Sequence, residues 1–196
     1  GLGDVYKRQD IINENNFKTA LDVGTGSGCI ACMIAKHTDC QIIGLDVSKD
    51  ALNTALDNAS RLNLFNKAIF RKSDIFSNVK PGESFDIIVS NPPYIPPCKK
   101  ENIQTEVKFD PENALFTQDE KGLEFYEKIT KQAPEVLNKG GYLLYELGIG
   151  QSEDVKNIMV SNGFKDIEII KDLAGIDRVI SALSLIHISE PTRRSY

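Results

Sequence analysis

From Thr19 to Lys36 the chain reads TALDVGTGSGCIACMIAK, a stretch with very few ways to fold. Thr19–Val23 is short and apolar, as a buried strand is, and a helix is expected over 27–36. Between them Gly24, Gly26 and Gly28 alternate with Thr25 and Ser27. Glycines placed there permit a tight strand-to-helix turn and let a ligand come close to the backbone.

The same alternation then runs along the chain. A second strand is expected over 41–45, closed by Asp46. Ser48 caps a helix reaching about Leu62, with an apolar face at Ala51, Leu52, Ala55, Leu56 and Ala59. Strands follow at 68–71 and 85–89, then a polar, proline-bearing loop over about 95–118. A helix over 122–137 ends on Asn138-Lys139-Gly140-Gly141, with a fifth strand at 142–147. A helix over 151–162 stops at Gly163, and two more strands are expected at about 165–170 and 178–181. Repeated β-α-β units imply an α/β fold, a doubly wound, mostly parallel sheet of seven strands with helices on both faces. Ligands then bind at the carboxyl ends of the central strands.

Composition narrows the function class. With 196 residues and 41% apolar content the chain can bury one sizeable core. No apolar run approaches the roughly 20 residues of a membrane span, and no signal-peptide pattern opens the chain. A net charge of −5 argues against a strong electrostatic grip on nucleic acid. Cys29, Cys32, Cys40 and Cys98 make no disulfide framework in a chain of this length. Cys29-x-x-Cys32 lacks a second pair or a histidine pair, so helix packing is its expected use, and no metal site is expected. His37 is expected at the surface of a helix end. The pattern fits a reduced, cytoplasmic protein.

The two ends read differently from the rest. Residues 4–9 are DVYKRQ and residues 183–188 are LSLIHI. The second can be encoded as CTG TCT CTT ATA CAC ATC, whose reverse complement encodes the first. This inverted pair resembles a transposon-end adaptor used in preparing sequencing libraries, and the SEPTRR that follows fits it too. Residues 1–9 and 183–196 are therefore expected to be non-native, leaving 10–182 as the functional domain. Each end carries +1, so that domain is near −7. On this reading the chain is a fragment, cut upstream.

Asp46 ends the second strand, where a carboxylate can accept both hydroxyl hydrogens of a ribose. Dinucleotides favour G-x-G-x-x-G, whereas residues 24–28 give G-x-G-x-G. The latter resembles motif I of the S-adenosylmethionine-dependent methyltransferases. The run SDIF, residues 73–76, supports that likeness. Asp74 can accept from an adenine amine, while Ile75 offers its N–H and an apolar wall. The cofactor set is thus Gly24, Thr25, Gly26, Ser27, Gly28, Asp46, Asp74 and Ile75, with Asn91 beside it.

Asn91-Pro92-Pro93-Tyr94 leaves the fourth strand. The prolines hold φ near about −65° and keep Asn91 out of the helical region. The Asn91 side chain and the Pro92 carbonyl are then stiffly held acceptors, suited to a planar –NH2 group, and Tyr94 can stack on its plane. An amide nitrogen is a poor nucleophile because its lone pair is delocalised. Orientation, more than a strong base, is the expected source of rate.

This tetrad resembles the [N/D/S]-P-P-[Y/F/W] motif of amino methyltransferases. With SNPPYIP, EVKFDPENALF (106–116), GLEFYEKI (122–129), YLLYELGIGQ (142–151) and DLAGIDRVI (172–180), the chain resembles the protein-(glutamine-N5) methyltransferases acting on peptide chain release factors. The likeness covers about 17–180. It implies a Rossmann-like class I fold and S-adenosyl-L-methionine as cofactor. It implies the glutamine of the release factors' Gly-Gly-Gln tip as acceptor, with Asn91, Pro92, Pro93 and Tyr94 as the catalytic set. Members of that family also carry an N-terminal helical domain, which no residues here match. The alternatives are a nucleic-acid amino methyltransferase working on adenine N6 or guanine N2, a nicotinamide oxidoreductase, and a non-catalytic cofactor-binding module. Acidity opposes the first and the glycine spacing the second, and an intact tetrad opposes the third.

Overall fold

β1 (Thr19–Val23) and β4 (Phe85–Ser90) run side by side at the middle of a sheet, and their apolar runs are continuous because both faces are covered. The structure, a computed structural model, describes residues 10–102 and 115–185. The remaining elements are α1 (Cys29–His37), β2 (Gln41–Asp46), α2 (Lys49–Arg61), β3 (Ala68–Lys72), α3 (Glu124–Gln132), β5 (Leu137–Glu146), α4 (Ser152–Ser161), β6 (Phe164–Lys171) and β7 (Asp177–Ser184). The seven strands form one sheet in the order β3-β2-β1-β4-β5-β7-β6. β7 runs antiparallel to β5 and β6, and the other described strand pairs are parallel. The α/β, doubly wound, mostly parallel expectation is met.

Side chains alternate between two cores. Leu21, Val23 and Ile88 point to the face covered by Tyr126 and Ile129 of α3 and by Val155 and Met159 of α4. Ala20, Ile87 and Val89 point to the other, covered by Ala31, Ile34 and Ala35 of α1 and by Ile11 and Ile12 of the helical residues 10–14. Cys32 is buried in that second core, Cys29 is exposed, and His37 lies at the exposed end of α1.

From β1 the chain winds outward to β2 and β3, then returns across β1 to β4 and winds the other way. The carboxyl ends of β1 and β4 therefore form the switch point, where the two helical layers diverge and a cleft opens. Val23 pairs with Ser90, so the glycine turn and the proline tetrad leave adjacent strands at the same height.

Three expectations need correction. The helix expected over 122–137 ends at Gln132, and Ala133–Glu135 forms a 3-10 turn. Pro134 lacks the N–H that would continue the helix. Residues 138–141 are then not a helix stop but part of β5, where the register against β4 slips between Phe85 and Ile87. Gly140, at φ +74, lets the slip form. Finally, α2 buries Leu52, Ala55 and Ala59, whereas Leu56 is half exposed.

β7 runs through Leu183 and Ser184, which pair with Tyr142 and Phe164. The boundary expected at 182 thus falls inside a strand. Residues 1–9 and 186–196 lie outside the described residues. No described helix is long and apolar enough to cross a membrane.

Candidate active site

The glycine turn is tied down from below. Gly24 and Thr25 N–H groups both donate to the Leu45 carbonyl, at 2.8 and 2.9 Å. The Thr25 hydroxyl donates to Asp22 at 2.6 Å, deep inside the protein. Gly24, Gly26 and Gly28 sit at φ +70, +54 and +76, which glycine alone adopts freely. Their surroundings differ. A side-chain carbon on Gly24 or Gly26 would meet no atom within 4 Å, so the turn is open there. One on Gly28 would strike Ala55 of α2 at 2.8 Å.

Asp46 organises the next strand end. One carboxylate oxygen accepts from Gly26 N–H and the other from Ser48 N–H, each at 2.8 Å. Each oxygen keeps a further lone pair, and the side chain remains partly exposed. Ser48 caps α2 as expected, accepting from Ala51 N–H at 3.3 Å.

After β3 the chain enters a tight wall. Asp74 is exposed and Ile75 half-buried. Ile75 adopts φ +48, a costly conformation for a β-branched residue. Ser73 holds it there, donating from its hydroxyl to the Ile75 carbonyl at 2.8 Å and accepting from Asn78 N–H at 3.0 Å. Ser77 accepts from Asp74 N–H at 3.0 Å. A cavity of about 640 Å³ lies beside this wall, between Asp74, Ile75 and Phe76 and the α3 residues Lys128 and Gln132. No residue of the glycine turn or the tetrad lines it.

Arg71 and Glu83 staple the wall shut with paired bonds of 2.6 and 2.8 Å. The Arg71 hydrogen bonds take the Glu83 carboxyl down to about 2 against the opposing effect of burial, with Lys80 N–H assisting. A depressed carboxyl stabilises the fold above the ordinary glutamate value of about 4.3, and the gain is lost as pH falls toward about 2. Glu83→Gln is expected to lower the unfolding free energy by roughly 1–2 kcal/mol at pH 7. In urea titrations at pH 7, 4 and 2.5 that gap should shrink steadily. A gap that stays constant would show the pair contributes no such stability.

The tetrad opens from a pinned strand end. The buried Ser90 hydroxyl donates to the Val23 carbonyl at 2.7 Å, locking β4 to β1. Asn91 is exposed, Pro92 is buried, and Pro93 and Tyr94 are half-buried. Burial lifts the Tyr94 hydroxyl above the usual phenol range, Glu146 adds to this and Arg178 opposes it, so the phenol is neutral at physiological pH. Beyond it, Ile95 N–H donates to Leu115 and Thr117 N–H to Ile95, closing the base of the following loop. Most of the EVKFDPENALF stretch, residues 106–114, lies outside the described residues.

Every expected site residue therefore falls at the carboxyl ends of β3, β2, β1 and β4, four neighbouring strands. Asp22, Ser73, Ser77 and Gln151 join them in the structure without a role expected from sequence. Asp22 had a signal, an acid inside an otherwise apolar strand. The serines had only their nearness to Asp74.

The sequence matches the family described as "Methyltransferase domain" over residues 14–184. It is 39% identical over 177 residues to the release factor glutamine methyltransferase of Clostridium acetobutylicum, covering 89% of this chain and 62% of that protein. It is 38% identical over 176 residues to the protein of the same description from Bacteroides thetaiotaomicron, covering 88% and 63%. The chain thus spans less than two thirds of the length of these relatives. The O-methyltransferase of Bacillus cereus, solved in complex with SAH, superposes with a TM-score of 0.65 at 14% identity, covering 94% of this chain and 81% of that one. Such a likeness shows the fold.

Proposed function

The chain belongs to the methyltransferase-domain family, and on that premise we propose that it transfers the methyl of S-adenosyl-L-methionine to the side-chain amide nitrogen (N5) of a glutamine. The acceptor is the glutamine of the Gly-Gly-Gln motif of peptide chain release factors, in the cytoplasm, and residues 10–182 are the working domain. The observation that carries the reading is the pairing of Val23 with Ser90, which sets a cofactor-type glycine turn beside an amide-gripping tetrad. The likeness of both relatives to this chain along nearly its whole length supports the choice of acceptor.

The residues fit the cofactor. Gly24 and Gly26 are open to a ligand, Asp46 has lone pairs for ribose hydroxyls, and Asp74 with Ile75 forms a polar and an apolar surface for adenine. Bound there, the cofactor supplies an electrophilic sulfonium methyl. The protein's part is to orient the acceptor. The Asn91 side chain and the Pro92 carbonyl accept the two amide hydrogens, turning the nitrogen's face to the methyl. The Tyr94 ring stacks on the amide plane. Its phenol, held neutral, takes no proton, and the proton that the nitrogen sheds on methylation leaves to water.

Labelled S-adenosyl-L-methionine, a release factor and the purified chain test this. One glutamine is expected to be labelled, and a Gln→Ala change in the factor's Gly-Gly-Gln motif should abolish the signal. The Clostridium acetobutylicum relative serves as control. Label in adenine-containing RNA or DNA, and none in the release factor, would replace this reading with the nucleic-acid one.

A further inference from the structure

Gln151 stands at the start of α4, 57 residues after Tyr94, yet its side chain reaches the tetrad. Its carboxamide nitrogen donates to the Tyr94 carbonyl at 3.1 Å, to Lys121 at 2.9 Å and to Gly122 at 3.2 Å. Three carbonyls from two chain segments converge on one –NH2 group. Turning the amide over would set its oxygen against all three, so only this orientation is compatible. The carboxamide oxygen is buried with no hydrogen-bond partner, so the donors alone explain the placement.

The surrounding backbone is cut to fit. A side chain on Gly122, at φ +75, would collide with the Tyr94 carbonyl. One on Gly148 would collide with the Gln151 carboxamide oxygen and come within 2.8 Å of the Tyr94 ring. The base of the amide is fixed in turn. Gln151 N–H donates to Gly148 at 3.1 Å, and Ser152 donates to Asp177 of β7 at 2.6 Å.

We propose that Gln151 is a positioning residue of the acceptor site: its carboxamide latches the Tyr94 carbonyl to residues 121–122 and so holds the tetrad's ring in register for the acceptor amide. The proposal rests on the reading that the tetrad grips that amide. Among the described residues Gln151 hydrogen-bonds to Tyr94, Lys121, Gly122 and Gly148 and to none of those assigned to the cofactor, so the latch governs the acceptor step and leaves cofactor binding alone.

Gln151→Glu is the diagnostic variant. An ionised carboxylate cannot donate and repels the three carbonyls, whereas a protonated one donates once. At pH 8 turnover is expected to fall about 10- to 100-fold, with affinity for S-adenosylhomocysteine within about twofold. The ratio of variant to wild-type turnover should climb as pH is lowered toward 6, because the surroundings favour the neutral acid. Unchanged turnover, a flat ratio, or a parallel loss of cofactor affinity overturns the proposal. A second readout needs no acceptor: in protein labelled with 3-fluorotyrosine, the Tyr94 fluorine signal, assigned by its loss in Tyr94→Phe, should shift or broaden in the variant. If the wild type methylates nothing, the functional reading falls, and this signal alone decides the latch; an unmoved signal overturns it. If Gln151→Glu does not fold, Gln151→Met replaces it in the turnover and fluorine measurements. In the wild type the Gln151 carboxamide protons should exchange with water at least about 10-fold slower than those of exposed amides, and fast exchange also overturns the latch.

Discussion

Replacing Asn91 by alanine is expected to cut methyl transfer by about 10²- to 10⁴-fold and to leave affinity for S-adenosylhomocysteine nearly unchanged. At about 1.4 kcal/mol per factor of ten, that is roughly 3–6 kcal/mol of transition-state stabilisation. Asn91 is exposed immediately beyond the strand pinned by Ser90, whereas the Asp46 carboxylate and the glycine turn stand on β2 and β1 and do not depend on it. An acceptor amide that has lost one of its two grips can still bind but rotates about the other. The loss should therefore appear in kcat and kcat/KM together. Tyr94→Ala should be severe for the same reason. Tyr94→Phe should be mild, since the ring is kept and the neutral hydroxyl takes no proton. A rise in KM alone for Asn91→Ala, with kcat intact, would mean that Asn91 binds the acceptor without aligning it.

Much of this architecture is legible because its signals are local. A central strand covered on both faces is a continuous apolar run, and the turn that follows must be glycine-rich to pass a ligand. β1 and β4 are such strands, and their ends, with those of β2 and the edge strand β3, carry the expected site residues. Where the reading failed, local sequence carried two meanings. Asn138-Lys139-Gly140-Gly141 suits a helix stop and suits a bulge equally, and the pairing of the flanking Leu137 with Phe85 and Tyr142 with Ile87 makes it the bulge. Pro134 is a helix breaker inside an apolar period that continues past it, to Val136 and Leu137. The Gln151 contacts span 57, 30 and 29 residues, and no periodicity connects positions that far apart. The strained Ile75 is hidden for a different reason: its φ is imposed by the Ser73 hydroxyl, not by any preference of its own.

Gly26→Ala and Gly28→Ala should fail in opposite ways, although the two positions look equivalent in GTGSG. At Gly28 the new carbon would lie 2.8 Å from the Ala55 side-chain carbon, and 3.1 Å from both the Ala55 backbone and the Phe70 ring. Phe70 can turn aside, but the helix backbone cannot move without loosening α2 from the sheet. Added to the cost of φ +76, the overpacking should destabilise the fold by about 3 kcal/mol or more. At Gly26 the new carbon meets nothing within 4 Å, and φ +54 lies within the small left-handed well. There the fold should lose only about 1 kcal/mol. Affinity for S-adenosylhomocysteine, however, should drop by about 30-fold or more, because the methyl stands where a ligand must approach the backbone. Urea unfolding and calorimetry on both variants separate the two roles. If Gly26→Ala binds S-adenosylhomocysteine as the wild type does, the open side of the turn does not face the cofactor, and the assignment of Gly24, Gly26 and Asp46 to it must be abandoned.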